Sequence, residues 1–183
     1  MIVALCGSSG SGKDTIGRTL GLPKPISVTT RPIRAGEVNG IDYLFVTDEE
    51  FTQLEAEGGL AEKTEYVGNG RKYGILKETL LEFMEEGQDV YLACDAHGLE
   101  QIQAIFPDTV ATFYVHADRD VCRSRMIARG DDEELIESRY SSWPDEHEAN
   151  MKHCEYIITN DGSISLEDIA DAIRFVVDSK RPA

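Results

Sequence analysis

The sequence predicts an α/β fold, in which a parallel sheet is flanked by helices and carries a small β-rich subregion and a highly charged helical region. Its 183 residues are 41% hydrophobic, which is enough to build one sizeable core. Short apolar runs alternate with helical segments, as in a parallel sheet wrapped by helices. We therefore expect a single domain over residues 1–183, with a core at about 1–26, 76–118 and 150–183, a β-rich region at about 27–75 and a highly charged helical region at about 119–149.

The first predicted elements are a strand, a glycine-rich turn and a short helix. Residues 2–6 form an apolar run of one strand's length, and the Gly-Ser stretch after it leads into a helix over residues 15–20. Beyond a proline-containing turn, residues 26–30 and 43–46 are rich in β-forming residues. Proline, glycine and asparagine between them indicate polar loops, so we expect a small sheet here.

The remaining elements alternate between helices and strands. Asp48 can cap a helix that runs to about Glu57, and a second helix covers about 77–86. An apolar run at 90–94 places Asp95 just past the end of a strand, where open α/β sheets bind ligands. Further strands are predicted at 112–115 and 156–159, and an amphipathic helix at 165–177.

The charge distribution limits the class of partner. A formal net charge of −16 argues against a broad nucleic-acid surface, because an acidic field repels a phosphate backbone. The arginines nevertheless cluster in residues 31–34 and 119–129 and can form local positive pockets. This pattern favours a small phosphorylated ligand and no nucleic acid.

The cysteines and the start of the chain indicate a cytoplasmic setting. The four cysteines lie far apart and lack the spacing of a metal site or a disulfide-rich scaffold. The apolar start has no basic leader and only one strand's length, so we expect no export signal, membrane span or membrane partner.

The glycine-rich turn matches a phosphate-binding motif. Its glycines and lysine follow the pattern G-x-x-x-x-G-K-[ST], between a strand and a helix as this motif requires. Backbone N–H groups, the helix N-terminus and the lysine ammonium can together cradle a polyphosphate. We predict that ATP binds here, with contacts from Gly7, Ser8, Ser9, Gly10, Ser11, Gly12, Lys13, Asp14 and Thr15.

The motif departs from the pattern at one position. Asp14 stands where Ser or Thr would place a hydroxyl on Mg²⁺, and Thr15 follows one residue late. A carboxylate is a good oxygen ligand for Mg²⁺, so Asp14 is the candidate metal ligand, directly or through water. The alternative is an acid at a helix start that only interacts with the dipole.

A second motif extends from Ser27 to Tyr43 and reads SVTTRPIRAGEVNGIDY. This run strongly resembles guanylate kinases. The resemblance covers nearly the whole chain, through Phe51, Glu62, Tyr73, Gly74, Asp95 and Gly98. It implies a P-loop kinase in which the acceptor phosphate is held by Arg31, Arg34, Tyr43 and Tyr73, and the base is contacted by Ser27, Glu62 and Asp95. Guanidinium forks pair bidentately with phosphate oxygens, and phenols add donors.

The two acids would favour guanine over adenine. Guanine presents N1–H and its N2 amine side by side, so one carboxylate can accept hydrogen bonds from both. Adenine offers an acceptor at N1, and facing it with a carboxylate leaves buried acceptors unpaired, at a cost of about 1–3 kcal/mol.

Four features differ from the family pattern. Ile75 stands where the family usually has a Ser or Thr that contacts the base, and Ala93 stands where another acid is usual. Residues 70–72 resemble a small insertion, and the segment between Lys13 and Ser27 is shorter than usual. We expect the short segment to trim the first helix without touching the phosphate loop.

The highly charged helical region at about 119–149 resembles the family's helical lid, in which arginines reach over ATP and the transferring phosphoryl group. Positioned cations stabilise charge on that group, and lid closure excludes water. The alternative is a set of helix-surface arginines paired with nearby glutamates. The catalytic residues implied are Lys13, Arg31, Arg125, Arg129 and Arg139.

The sequence thus predicts ATP-dependent, Mg²⁺-dependent phosphorylation of GMP or dGMP by a monomer or homodimer. One alternative is a ribose 1,5-bisphosphate phosphokinase or another small-phosphate kinase, which the chain resembles in Gly-Lys-Asp and in residues 160–163. Another is a non-catalytic guanylate-kinase-like binding module. Asn160 and Asp161 are typical of a turn, and we assign them no role.

Overall fold

The computed structural model describes residues 1–34, 36–65 and 70–181 and has the predicted α/β architecture. Its strands are β1 (Ile2–Cys6), β2 (Ser27–Thr29), β3 (Leu44–Phe45), β4 (Leu60–Glu65), β5 (Lys72–Leu76), β6 (Val90–Cys94), β7 (Val110–His116) and β8 (Tyr156–Thr159). Its helices are α1 (Lys13–Thr19), α2 (Asp48–Ala56), α3 (Lys77–Glu85), α4 (Ala96–Ile105), α5 (Arg119–Arg129), α6 (Glu133–His153) and α7 (Leu166–Ser179).

The main sheet is parallel and has the strand order β6-β1-β7-β8. Every residue of β1 is buried, as expected for a strand that helices cover on both faces. Leu80 of α3 and Ile102 of α4 belong to the core on one face, and Ile16 of α1 and Ile173 of α7 to the core on the other. The carboxyl ends of the strands therefore meet at one edge, where parallel sheets bind ligands.

A second sheet has the order β3-β2-β5-β4, with β5 antiparallel to both β2 and β4. The sequence analysis did not identify β4, β5 or α4. β4 reads LAEKTE, so its polar residues obscure the strand pattern. The side-chain amide of Gln101 on α4 exchanges two hydrogen bonds of 3.0 Å with the backbone of Lys63 on β4. The second sheet is thereby attached to a helix of the core.

Two predicted helix starts were wrong. α1 begins at Lys13 rather than at residue 15, directly after the last glycine of the phosphate loop. The N-cap of α2 is Thr47 rather than Asp48, because the Thr47 hydroxyl accepts from the Glu50 N–H at 3.2 Å and the Glu50 carboxylate accepts from the Thr47 N–H at 2.7 Å. This capping box leaves Asp48 in the first turn.

The predicted regions contain distinct elements. The β-rich region at about 27–75 holds the second sheet and α2, and its residues 35 and 66–69 lie outside the described part of the chain. The lid region at about 119–149 holds α5 and most of α6. Among the described residues, no helix combines the length and the apolar character needed to cross a bilayer.

Candidate active site

The phosphate loop connects β1 to α1 and depends on glycine at two positions. Gly10 and Gly12 have φ angles of 84° and 99°, in the left-handed region. A Cβ on Gly10 would lie 2.5 Å from the carbonyl oxygen of Cys122, and a Cβ on Gly12 would lie 2.2 Å from Nδ2 of Asn160. Larger residues at either position would displace the loop or its neighbours.

Lys13 is folded onto the loop. Its ammonium donates to the carbonyl oxygens of Gly7 and Ser8, the latter at 3.0 Å. Burial lowers the pKa of Lys13, and the negative charge of Asp14 opposes that effect. A cation so placed can bind phosphate oxygens without searching many rotamers.

Asn160 supports the loop, a role that the sequence analysis missed. It is 6% exposed, its Nδ2 donates to the carbonyl oxygen of Ser11 at 2.7 Å, and its N–H donates to that of His116 at 2.8 Å. Arg125 donates to Asn160 O at 2.9 Å and to Gly10 O at 3.2 Å. Lid helix, loop and sheet edge are therefore joined at this point. The sequence did offer one signal for this role, because Asn160 directly follows the last parallel strand, and residues at that position lie beside the ligand site of an open α/β sheet.

A cleft of about 300 Å³ opens beside the loop, and predicted ATP-binding and lid residues line it. These are Ser9, Gly10, Gly12, Lys13, Asp14, Thr15, Arg125 and Arg129. Oδ1 of Asp14 lies 2.5 Å from Nζ of Lys24. Burial raises the pKa of Asp14, but the hydrogen bond and charge of Lys24 outweigh it, so the pKa lies below its usual value. Asp14 is therefore ionised at neutral pH.

Arg31 is the centre of the predicted acceptor-phosphate cluster. It is 5% exposed, and its guanidinium forms two parallel hydrogen bonds with the Glu37 carboxylate, at 3.0 and 2.7 Å. Its Cζ lies 5.3 Å from the centroid of the Tyr43 ring, and Tyr43 packs edge-on against Tyr73 at 6.1 Å. The structure thus brings three of the four predicted phosphate ligands together. Glu37, which the sequence analysis did not single out, fixes the orientation of the fork.

Arg34 is exposed, and its backbone N–H donates to Glu37 at 2.8 Å. In the lid region, Arg129 lines the cleft and forms paired hydrogen bonds with Asp131, at 2.8 and 2.5 Å. These bonds lower the pKa of Asp131, and the charges of Arg139 and Arg34 add to the effect. The lid arginines therefore lie within electrostatic range of the acceptor arginine.

The predicted base contacts lie on two strands of the second sheet and at the start of α4. Ser27 on β2 pairs with Ile75 on β5, which pairs with Glu62 on β4. Asp95 caps α4 by accepting from the Gly98 N–H at 2.8 Å, and a Cβ on Gly98 would lie 3.0 Å from a Glu62 carboxylate oxygen. The two acids therefore share one site, with the apolar Ile75 between Ser27 and Glu62.

Glu62 is an unusual carboxylate because it is 9% exposed. Burial raises its pKa to about 7, the Thr64 hydroxyl lowers it by donating a hydrogen bond at 2.8 Å, and the charge of Asp95 raises it further. A buried carboxylate favours a ligand that offers hydrogen-bond donors.

Comparisons with known proteins agree with this geometry. A family model described as guanylate kinase matches residues 1–180. The chain belongs to the guanylate kinase family. The guanylate kinase of Oceanobacillus iheyensis is 34% identical over 186 residues, which span 98% of this chain and 87% of the relative. That of Bacillus subtilis is 34% identical over 184 residues, spanning 97% and 87%.

The fold also agrees with that of the guanylate kinase family. A crystal structure of guanylate kinase from Anaplasma phagocytophilum matches with a TM-score of 0.75 and 24% identity, covering 100% of this chain and 87% of that one. The family resemblance and the fold class inferred from the sequence are thus confirmed. The roles of individual guanylate kinase residues in this chain remain predictions.

Proposed function

We propose that this enzyme transfers the γ-phosphoryl group of ATP to GMP or dGMP, giving ADP and GDP or dGDP. The observation that carries the proposal is the shared site of Glu62 and Asp95, two acids suited to the N1–H and N2 amine of guanine. The curated relatives that match 97–98% of the chain are named guanylate kinases, which supports the same acceptor.

Catalysis in this proposal consists of positioning and charge neutralisation. The phosphate loop with Lys13 holds ATP, and the cluster around Arg31 holds the acceptor phosphate. The acceptor oxygen then attacks the γ-phosphorus in line, without a covalent enzyme intermediate, and ADP leaves. The lid cations Arg125, Arg129 and Arg139 offset the charge on the phosphoryl oxygens in flight.

The cleft suits a metal ion that is held mainly by phosphate. Within the described residues, no group of three acidic, histidine or cysteine side chains could hold a metal ion without such help. Asp14 supplies one ionised carboxylate beside the loop, which fits Mg²⁺ because this ion often takes only one or two protein carboxylates together with substrate phosphates. When bound, Mg²⁺ would neutralise charge on the ATP phosphates.

We expect Asp14→Ala to raise the Mg²⁺ concentration needed for half-maximal rate by roughly five- to tenfold, since a ligand or second-sphere carboxylate is lost. The measurement is a Mg²⁺ titration of initial rate at fixed ATP and GMP. Asp171→Ala on α7 is the control, because it removes another exposed, ion-paired acid that is not among the residues lining the cleft. An unchanged titration curve for Asp14→Ala would show that Asp14 does not help to hold the metal ion, as expected for an acid that only interacts with the helix dipole.

One assay separates the proposed function from its alternatives. ADP release is followed with GMP, dGMP, AMP and ribose 1,5-bisphosphate as acceptors. We expect kcat/KM for GMP or dGMP to exceed that for AMP by at least about a hundredfold. Preferred use of ribose 1,5-bisphosphate would instead favour the sugar-phosphate kinase. If no ADP is released with any of the four acceptors, the result would favour a non-catalytic binding module.

The cellular context belongs to the same proposal. We place the enzyme in cytoplasmic purine nucleotide metabolism, as a monomer or homodimer whose partners are nucleotides. All four cysteines are free thiols, which agrees with a reducing compartment.

A further inference from the structure

Lys24 is held at the edge of the ATP-phosphate cleft by a rigid turn. It stands between Pro23 and Pro25, which restrict the backbone around it. The carbonyl oxygen of Pro23 accepts from the Tyr91 N–H at 3.1 Å, and Pro25 is buried. The Lys24 ammonium lies 5.8 Å from the centroid of the Tyr91 ring, which packs on Gly17, where a Cβ would lie 2.1 Å away. The lysine is thus presented by a fixed backbone.

The Lys24 ammonium lies beside the phosphate-loop cleft and close enough to the acceptor cluster to influence it electrostatically. On one side, its Nζ is 2.5 Å from Oδ1 of Asp14, which lines the cleft together with Lys13 and Arg129. On the other side, burial raises the pKa of Tyr43, and the positive charge of Lys24 is the main influence that lowers it. Tyr43 belongs to the cluster around Arg31, so the lysine is within electrostatic range of both phosphate sites.

We propose that Lys24 is a further catalytic residue, whose ammonium contacts phosphate oxygens at the point where the ATP and acceptor phosphates meet. The inference rests on the proposed kinase function. The Asp14 carboxylate holds this ammonium in the structure, and phosphate oxygens replace the carboxylate when both nucleotides bind. No covalent bond to Lys24 forms or breaks.

Little free energy is needed for Lys24 to leave the Asp14 carboxylate and contact phosphate oxygens instead. The side chains of Lys24 and Asp14 are 42% and 51% exposed, and ion pairs this exposed contribute little to stability. Nucleotide phosphates carry more negative charge than one carboxylate, and exclusion of water by a closing lid strengthens the attraction. Because transfer brings two anionic groups together, a cation between them lowers the barrier more than it strengthens binding of either nucleotide alone.

The test compares Lys24→Met, which removes the charge but keeps the aliphatic chain, with Lys24→Arg, which keeps the charge. Lys180→Met is the matched control, since Lys180 is also ion-paired, to Glu155 at 2.8 Å, beside the amino end of β8. We expect Lys24→Met to lower kcat by about ten- to thirtyfold and to change the Kd of ADP alone and of GMP alone by less than threefold. Lys24→Arg should recover most of the rate, and Lys180→Met should match the parent.

A binding readout makes the test independent of turnover. The probe is adenosine and guanosine joined by a pentaphosphate, whose chain spans both phosphate sites, and its Kd is measured by calorimetry. We expect Lys24→Met to weaken this probe by roughly tenfold. An unchanged kcat and an unchanged probe Kd in Lys24→Met would overturn the inference while leaving the kinase function intact. A parent enzyme that neither turns over GMP nor binds the probe would overturn both.

Discussion

Substitution of Gly12 by alanine should lower kcat/KM for ATP by on the order of a thousandfold, because the phosphate loop cannot keep its shape. The φ angle of 99° is unfavourable for any residue with a Cβ. The new methyl group would also lie 2.2 Å from Nδ2 of Asn160, whose amide is bonded to Ser11 O and whose backbone is bonded to His116 O. Asn160 cannot move away from the methyl group without breaking the hydrogen bonds that join the loop, the lid helix and the sheet edge.

Gly21→Ala is the matched control for this prediction. Gly21 also has a positive φ, of 70°, but a Cβ there would meet nothing within 4 Å. Backbone strain alone therefore predicts a loss of about 1–2 kcal/mol in the free energy of unfolding and little change in kcat/KM. Steady-state kinetics, calorimetric binding of ADP and thermal unfolding distinguish the two effects. Equal losses of activity in the two variants would show that local strain, and not contact with Asn160, determines the outcome.

The sequence predicted the parts of this enzyme that have strong local patterns. β1 and β6 are uninterrupted apolar runs, and their observed bounds, Ile2–Cys6 and Val90–Cys94, are the predicted ones. The phosphate loop has a fixed spacing because its geometry needs glycines at set positions. By contrast, β4 reads LAEKTE and alternates poorly because it buries the charged residue Glu62, and tertiary packing decides its conformation.

The connections within the site were less accessible from sequence. Asn160 looks like a turn residue, and only the fold shows its amide against the phosphate loop, 149 positions away in the chain. Lys24 lies in a short segment whose sequence suggested only a trimmed helix, and the packing of Tyr91 on α1 determines where its ammonium lies. Both contacts join residues that are remote in sequence or separated by turns, and local pattern carries no information on them.

Substitution of Glu62 by glutamine should stabilise the fold and impair guanine recognition at the same time. The folded-state pKa of Glu62 is about 7, above the usual value of 4.5, so the folded protein holds this proton between about pH 4.5 and 7 while the unfolded chain has lost it. The buried charge of Glu62 therefore does not reduce the free energy of unfolding below pH 4.5, and it reduces that free energy by the full amount above pH 7. A shift of this size corresponds to about 3 kcal/mol in the free energy of unfolding. Glu62→Gln should gain up to that amount at pH 8 and nothing near pH 4.

The catalytic effect has the opposite sign, because guanine N1–H and N2 need a carboxylate that accepts from both, and an amide presents a donor to one of them. We expect kcat/KM for GMP to fall by about three-hundredfold in Glu62→Gln. In the parent enzyme it should rise between pH 6 and 8 as Glu62 ionises, and the variant should lose that rise. Denaturant unfolding at several pH values and pH profiles of kcat/KM test both halves, with the exposed Glu49→Gln on α2 as control. A variant that keeps the parent pH profile would remove Glu62 from base recognition, and one without added stability at pH 8 would show that its burial costs little.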